Sequence, residues 1–243
     1  MSMPPPYPPP AQPPAAPFSV GTGLSWAWEK FKTNPVPFLL VMLVGFVASL
    51  LVALPFGVFN AITDGLDTTN SDGSLDGTNF SLMMGGGVLQ LVGQMLSTVV
   101  GLIFSGAMAK GALDTTRGAP VSLGSMFQDL PWVPLILAGF VIGVLGTIGL
   151  LLCLIPGLIV YFLTMWTTYF IVGHGQDAFT AMRSSFALAT ARVGDSLLTL
   201  ITVIALGIAG ACACGIGLLV TIPLGVLLTA WAFRTLVGEP VAP

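Results

Sequence analysis

Few side chains in this 243-residue sequence have types that could do chemistry. His174 is the only histidine, set between Gly173 and Gly175, and its imidazole could move a proton near neutral pH. A proton shuttle needs an oriented partner. No Ser–His–Asp, His–Glu or aspartate-pair set assembles around His174 from sequence, so it reads as a surface residue and the chain as no enzyme. Asp64, Asp67, Asp72 and Asp76 lie close together in "DGLDTTNSDGSLDG", and carboxylates in such numbers could gather Ca²⁺, which takes about six to eight oxygens. Their spacing does not follow the EF-hand loop; a solvated loop without metal fits better. Cys153, Cys212 and Cys214 are too few and too unevenly spaced for a disulfide framework or a paired-cysteine metal site. One bridge from Cys153 to either of the others is a candidate in an oxidising compartment, and small buried thiols are the alternative.

A second group is polar without being ionisable. Gln90, Gln94, Ser97, Gly101 and Ser105 recur at spacings of four, three, four and four, which puts them on one stripe of a helix. Inside a membrane such a stripe either hydrogen-bonds and packs against other helices or lines a path. Gly139 and Gly143, continued by Gly146 and Gly149, form a small-residue face of the same kind, as do Gly207, Gly210, Ala211 and Gly215. Nothing in the sequence resembles a Walker loop or a dinucleotide fingerprint, so no cofactor is expected. The bases come in ones and twos, short of the about four to eight clustered Lys/Arg of an electrostatic lipid site, and nothing points to nucleic acid.

The elements that must position these residues are helices in a bilayer. Hydrophobic types make up 55% of the chain and charged types 7%, with mean hydropathy +0.95, whereas a soluble domain carries about 25% charged residues. A bilayer core of about 30 Å needs about 20 apolar residues per helical crossing. Six stretches qualify, at 36–60, 86–108, 132–152, 156–173, 196–214 and 216–236. Pro55, Pro156 and Pro223 mark kinks or ends, and "CLIPG" forces spans three and four into a hairpin. The centres of all six lack ionisable groups, which removes the usual carriers of ion coupling.

Short amphipathic helices are expected before spans one, three and five. The first puts Leu24, Trp28 and Phe31 on one face, with Trp26 and Trp28 in the aromatic belt; the second lies around Met126 and Phe127. The third puts Phe179, Met182, Phe186 and Ala189 on one face, with Asp177 as N-cap and Gly194 at the C-cap. Nine of the 19 prolines fall in residues 1–17, which read as a disordered or extended tail with no secretory leader. A membrane domain over 18–238 and a short tail at 239–243 complete the chain.

All seven bases (Lys30, Lys32, Lys110, Arg117, Arg183, Arg192, Arg234) fall in segments that a six-span count assigns to one side of the membrane. The positive-inside rule makes that side cytoplasmic, with both termini, and leaves the aspartate loop outside. The chain also echoes itself: "FKTNPVPFLL" with "FQDLPWVPLIL", and "IGLLLCLIPG" with "IGLLVTIPLG". Three units, each an interfacial helix plus a hairpin, are the natural reading.

"LSWAWEKFKTNP", "LIPGLIVYF" and "DAFTAMRSSFALAT" together resemble the bacterial six-helix inner-membrane proteins of the YciC-like kind. The membrane domain fused to some glycerophosphodiester phosphodiesterases is similar, and the proline-rich start looks actinobacterial. The resemblance spans residues 18–236 and implies a six-helix topology in a bacterial inner membrane; it supplies no agreed activity and no catalytic residues. The leading expectation is an all-α polytopic bundle that acts through contacts, as an accessory subunit or assembly factor. Its partners would be membrane lipid, partner helices and a cytosolic polyproline-binding protein. A transporter or lipid-handling permease using the span-two stripe is the alternative.

Overall fold

The structure, a computed structural model, describes residues 18–64, 77–152, 154–213 and 217–243. Among these residues there is no strand, and ten helices follow in order. They are α1 (Val20–Thr33), α2 (Pro35–Asp64), α3 (Gly77–Thr116), α4 (Leu123–Phe127), α5 (Trp132–Leu152), α6 (Leu154–Thr164), α7 (Thr167–His174), α8 (Ala178–Ala191), α9 (Val193–Cys212) and α10 (Leu218–Val237). Six segments within them are long and apolar enough to cross a membrane, α6 and α7 together making the fourth. The chain is an all-α, multi-pass membrane protein.

The helices fall into three units, each a short helix, an outgoing long helix and a returning one: α1–α2–α3, α4–α5–α6/α7 and α8–α9–α10. Outgoing and returning partners pack most closely within each unit. Each short helix, however, lies mainly on the preceding unit. α4 packs on α3 and α2, α8 on α7, α6 and α5, and α1 on α10 of the last unit. The repeat read from the sequence is thus a closed ring of three. At the outer turns of the second and third units backbones come close enough to require glycine: a Cβ on Gly149 would stand 2.9 Å from the backbone of Gly157, and one on Gly217 2.8 Å from the carbonyl of Gly210.

Several expectations are corrected. α2 continues past Pro55 and α10 past Pro223, so of the two readings, kink or end, neither proline ends its span. α3 continues to Thr116, which puts Lys110 and Asp114 on its last turns rather than in a loop. Gly194 is not a C-cap: Arg192, with φ −128° and ψ 50°, is the single residue that separates α8 from α9, and Gly194 is the second residue of α9. The fourth span is not continuous but breaks at Met165–Trp166. Ser185 of α8 mends the break, accepting from the Trp166 amide at 3.1 Å and donating to the Leu163 carbonyl at 2.8 Å. A hydroxyl thereby satisfies backbone groups that lipid could not.

The short helices turn mostly small residues toward the bundle. α1 buries Gly23, Ala27 and Phe31 and leaves Trp28 exposed; α8 buries Ala178, Ala181, Ser185 and Ala189 and leaves Phe179 and Phe186 exposed. Small residues let helix backbones approach, and lipid takes the bulky apolar side chains at no cost. Asp177 does cap α8, accepting from the Thr180 amide at 3.2 Å.

Candidate functional site

The three returning helices end alike. Gly118, Gly175 and Gly238, with φ of 73°, 64° and 79°, follow α3, α7 and α10, and their left-handed backbone closes each last turn. Each helix C-terminus carries about half a negative charge, which favours the guanidinium groups of Arg117 and Arg234 found at two of them; His174 stands at the third.

The three ends are tied in a cycle. Arg117 Nη2 donates to the Gly173 carbonyl at 3.0 Å, joining α3 to α7. His174 Nε2 lies 2.8 Å from Glu239 Oε1, joining α7 to the segment after α10. That segment returns to α3, where the Ala242 amide donates to the Thr116 carbonyl at 2.8 Å. Residues 239–243 are therefore a strap laid across the end of the bundle. α1 holds it from the far side, through Trp26 Nε1 to the Ala242 carbonyl at 2.8 Å and through Lys30 to the Pro243 carbonyl. Trp26 is accordingly half-buried and engaged with protein rather than serving only as a belt residue.

Arg234 sits beneath the strap in the last turn of α10 with its side chain 9% exposed. Its Nη2 reaches Glu239 Oε2 at 3.2 Å, while Nε and Nη1 are buried with no hydrogen-bond partner. The Glu239 carboxylate thus bridges a guanidinium and an imidazole, one oxygen to each. Left-handed Gly238 makes this possible: the Glu239 amide bonds back to the Arg234 carbonyl at 2.8 Å, turning its side chain toward α7. Phe170 and Phe233 flank His174, with ring centroids 5.4 and 5.5 Å away.

His174 therefore has the acidic partner that sequence reasoning denied it. Glu239 lies 65 residues away, and only the paired helix ends bring them together. The "H-G" and "G-E" pairs at two helix ends were the available signal. The bases are likewise gathered rather than scattered: Lys110 and Arg117 flank Asp114 at 3.4 and 3.7 Å, one hydrogen bond from the segment carrying His174.

The polar stripe of α3 is not a single seam. Gln90, Gln94, Gly101 and Ser105 are exposed and Ser97 is half-buried; a Cβ on Gly101 would meet nothing within 4 Å. Gln94 joins Gly139, Gly143, Thr98 and Thr147 in a lateral groove of about 450 Å³ between α3 and α5, with otherwise apolar walls. Gly139 is a close-packing position, since a Cβ there would stand 2.3 Å from Leu102, and Gly143 is open. Ser105 and Thr168 border two further cavities, of about 400 and 300 Å³, on either side of the broken fourth span. Cys212 is an exposed free thiol; Cys153 and Cys214, the aspartates at 67, 72 and 76, and the tail at 1–17 lie outside the described residues.

The class these features define is a six-span α-helical membrane protein closed at one end by a polar clasp. Over 98% of its length the chain is 28% identical to an uncharacterized protein of Mycobacterium tuberculosis, Rv2560, covering 74% of that protein. It stands in the same relation to Mb2590, an uncharacterized protein of Mycobacterium bovis. No family model and no solved structure matches it.

Proposed function

We propose that this is a protein of the bacterial cell membrane, with both termini cytoplasmic, that acts without catalysis by holding partner helices as an accessory subunit or assembly factor. The observation that carries the reading is the groove between α3 and α5. Its walls offer Gly139, Gly143, Thr98, Thr147 and Gln94, the small and hydroxyl- or amide-bearing types that membrane helices use to associate. Orientation follows from the bases on α1, α8, the last turns of α3 and the strap-facing end of α10, which all belong to one end of the bundle. Bacterial relatives support the membrane assigned. The proline-rich tail at 1–17 would offer a polyproline II surface to a cytosolic partner.

A photo-crosslinker in place of Gln94 or Thr147, followed by purification in mild detergent and mass spectrometry, tests this. One recurring membrane-protein adduct is expected; a chain that crosslinks to nothing but lipid would count decisively against it.

A second reading, a permease, is favoured by the broken fourth span, whose Thr164 and Thr168 line the same cavities as Ser105. In a cysteine-free background, a cysteine at Thr168 labelled by a membrane-impermeant thiol reagent from outside and inside would select that reading. Protection from both sides would select the first.

A further inference from the structure

We infer that Arg234 and His174 form a binding site for a phosphoryl oxyanion, and that Glu239 on the 239–243 strap occupies it as an internal substitute. This stands apart from the lateral groove and does not rest on the reading above. The argument starts from donor counting. A guanidinium has five N–H donors in a fixed fork, and it is suited to carboxylate or phosphate in pairs of bonds. Arg234 is nine-tenths buried, yet only Nη2 is engaged by an acid, and Nε and Nη1 have no partner. Glu239, turned so that one oxygen faces Arg234 and the other His174, does not reach them. A phosphoryl group brings a third oxygen at tetrahedral angles, so it can keep both contacts and reach a second guanidinium N–H.

Burying a guanidinium with donors unmet is costly, and a site built for Glu239 alone would not leave them. The strap that delivers Glu239 is five residues long and is tied by single hydrogen bonds, from the Glu239 amide to Arg234, from the Ala242 amide to Thr116 and from Trp26 and Lys30 to its last two carbonyls, with Pro240 exposed. Departure of the strap would remove one negative charge and leave Arg117, which donates to the Gly173 carbonyl next to His174, as a further base beside the opened site. The location also suits the ligand class, because Arg234 lies in the last turn of a helix long and apolar enough to cross a membrane, and lipid phosphates lie near the ends of such helices.

The test uses the full chain in mild detergent, with native mass spectrometry to count bound phosphatidylglycerol and inorganic phosphate added as competitor. Glu239→Ala empties the site; Trp26→Phe loosens the strap while leaving Arg234 and Glu239 in place. Both are expected to bind the lipid more tightly than the unaltered chain, Glu239→Ala by about tenfold, the equivalent of one charge-assisted hydrogen bond. Adding Arg234→Lys to Glu239→Ala keeps the charge but removes the fork, and most of the gain should vanish. Competition by inorganic phosphate would assign a free phosphate or its esters as an occupant, and its absence a lipid headgroup. Lipid binding unchanged in both single variants would overturn the inference, as would a gain that survives Arg234→Lys.

Discussion

The two ends of the bundle are packed very differently. In α3, Gly106, Ala107, Met108, Ala109, Gly111, Ala112, Leu113 and Thr116 are buried, while among the residues from 87 to 105 whose burial is described Gly93 alone is. At the basic end α1, α4 and α8 plug the crevices between the long helices, and Trp166, Phe38, Phe233, Met126 and Leu113 are fully enclosed. Away from that end Phe46, Leu51, Met95, Leu151 and Leu152 face outward. In water this exposure would be intolerable, but in lipid it costs little, because tails are as apolar as leucine. One end is therefore held by protein contacts. The other leaves many of its large apolar side chains outside, with close backbone contact kept at the turns of the second and third units.

The largest expected effect breaks the packed end at the helix break. Trp166→Ala removes a fully buried ring and the indole bond to Ser196. It should destabilise by an amount near the lower end of about 3–5 kcal/mol, since lipid removes most of the transfer part and leaves the cavity part. Leu151→Ala, at a position 82% exposed, should move the melting temperature in detergent hardly at all. If both variants melted alike, the contrast between the ends would be an illusion of side-chain packing.

A glycine pair sharpens the same contrast. A Cβ on Gly23 would stand 2.4 Å from the Trp231 ring, between α1 and α10, whereas one on Gly101 would meet nothing. Gly23→Ala should cost about 1–3 kcal/mol through overpacking. Gly101→Ala should be neutral, or stabilise by up to about 1 kcal/mol through helix propensity. Thermal melting of the two variants side by side reads the difference in sign.

The comparison also explains what was legible in the sequence. Six spans, their shared polarity and the threefold echo follow from composition and periodicity, because hydropathy reports directly on a bilayer. The inner faces do not. Periodicity marks Phe179 and Phe186 as the apolar face of an interfacial helix, and they are exposed; it does not mark Ala178, Ala181 and Ser185 as the residues that pack inward. The break at Met165–Trp166 carries no proline or glycine, and it persists because Ser185, some 20 residues on, supplies the missing bonds. The Arg234–Glu239–His174 bridge was equally hidden. It depends on two left-handed glycines meeting at adjacent helix ends, and neither signal means anything until the helices are placed.

A smaller effect concerns the mend itself. Ser185→Ala leaves the Trp166 amide and the Leu163 carbonyl without their hydroxyl partner inside a packed interface, and should cost about 1–3 kcal/mol. Ser185→Thr keeps the hydroxyl but adds a methyl where α8 lies close to α6 and α7, so it should recover only part of the loss. Full recovery would mean that α8 has slack there, and that the packed end is looser than the burial of Ser185 implies.

The smallest effect lies at the rim of the packed end, in the cap that starts α8. The Thr180 hydroxyl and amide hold the Asp177 carboxyl below the usual aspartate range. A pKa lowered by folding stabilises the fold fully at pH above the unfolded value of about 3.9, and that contribution is lost as pH falls through the folded value. Asp177→Ala should therefore melt slightly below the unaltered chain at pH 7, with the gap narrowing as the pH is lowered past 4 and toward the folded value. Asp177→Asn keeps a capping oxygen and should melt close to the unaltered chain at pH 7. It has no carboxyl to titrate, so its own curve should lose this pH dependence. A gap for Asp177→Ala that stayed constant through the acid range would show that the cap acts by geometry alone. The charge would then contribute nothing to seating α8 on the helices beneath it.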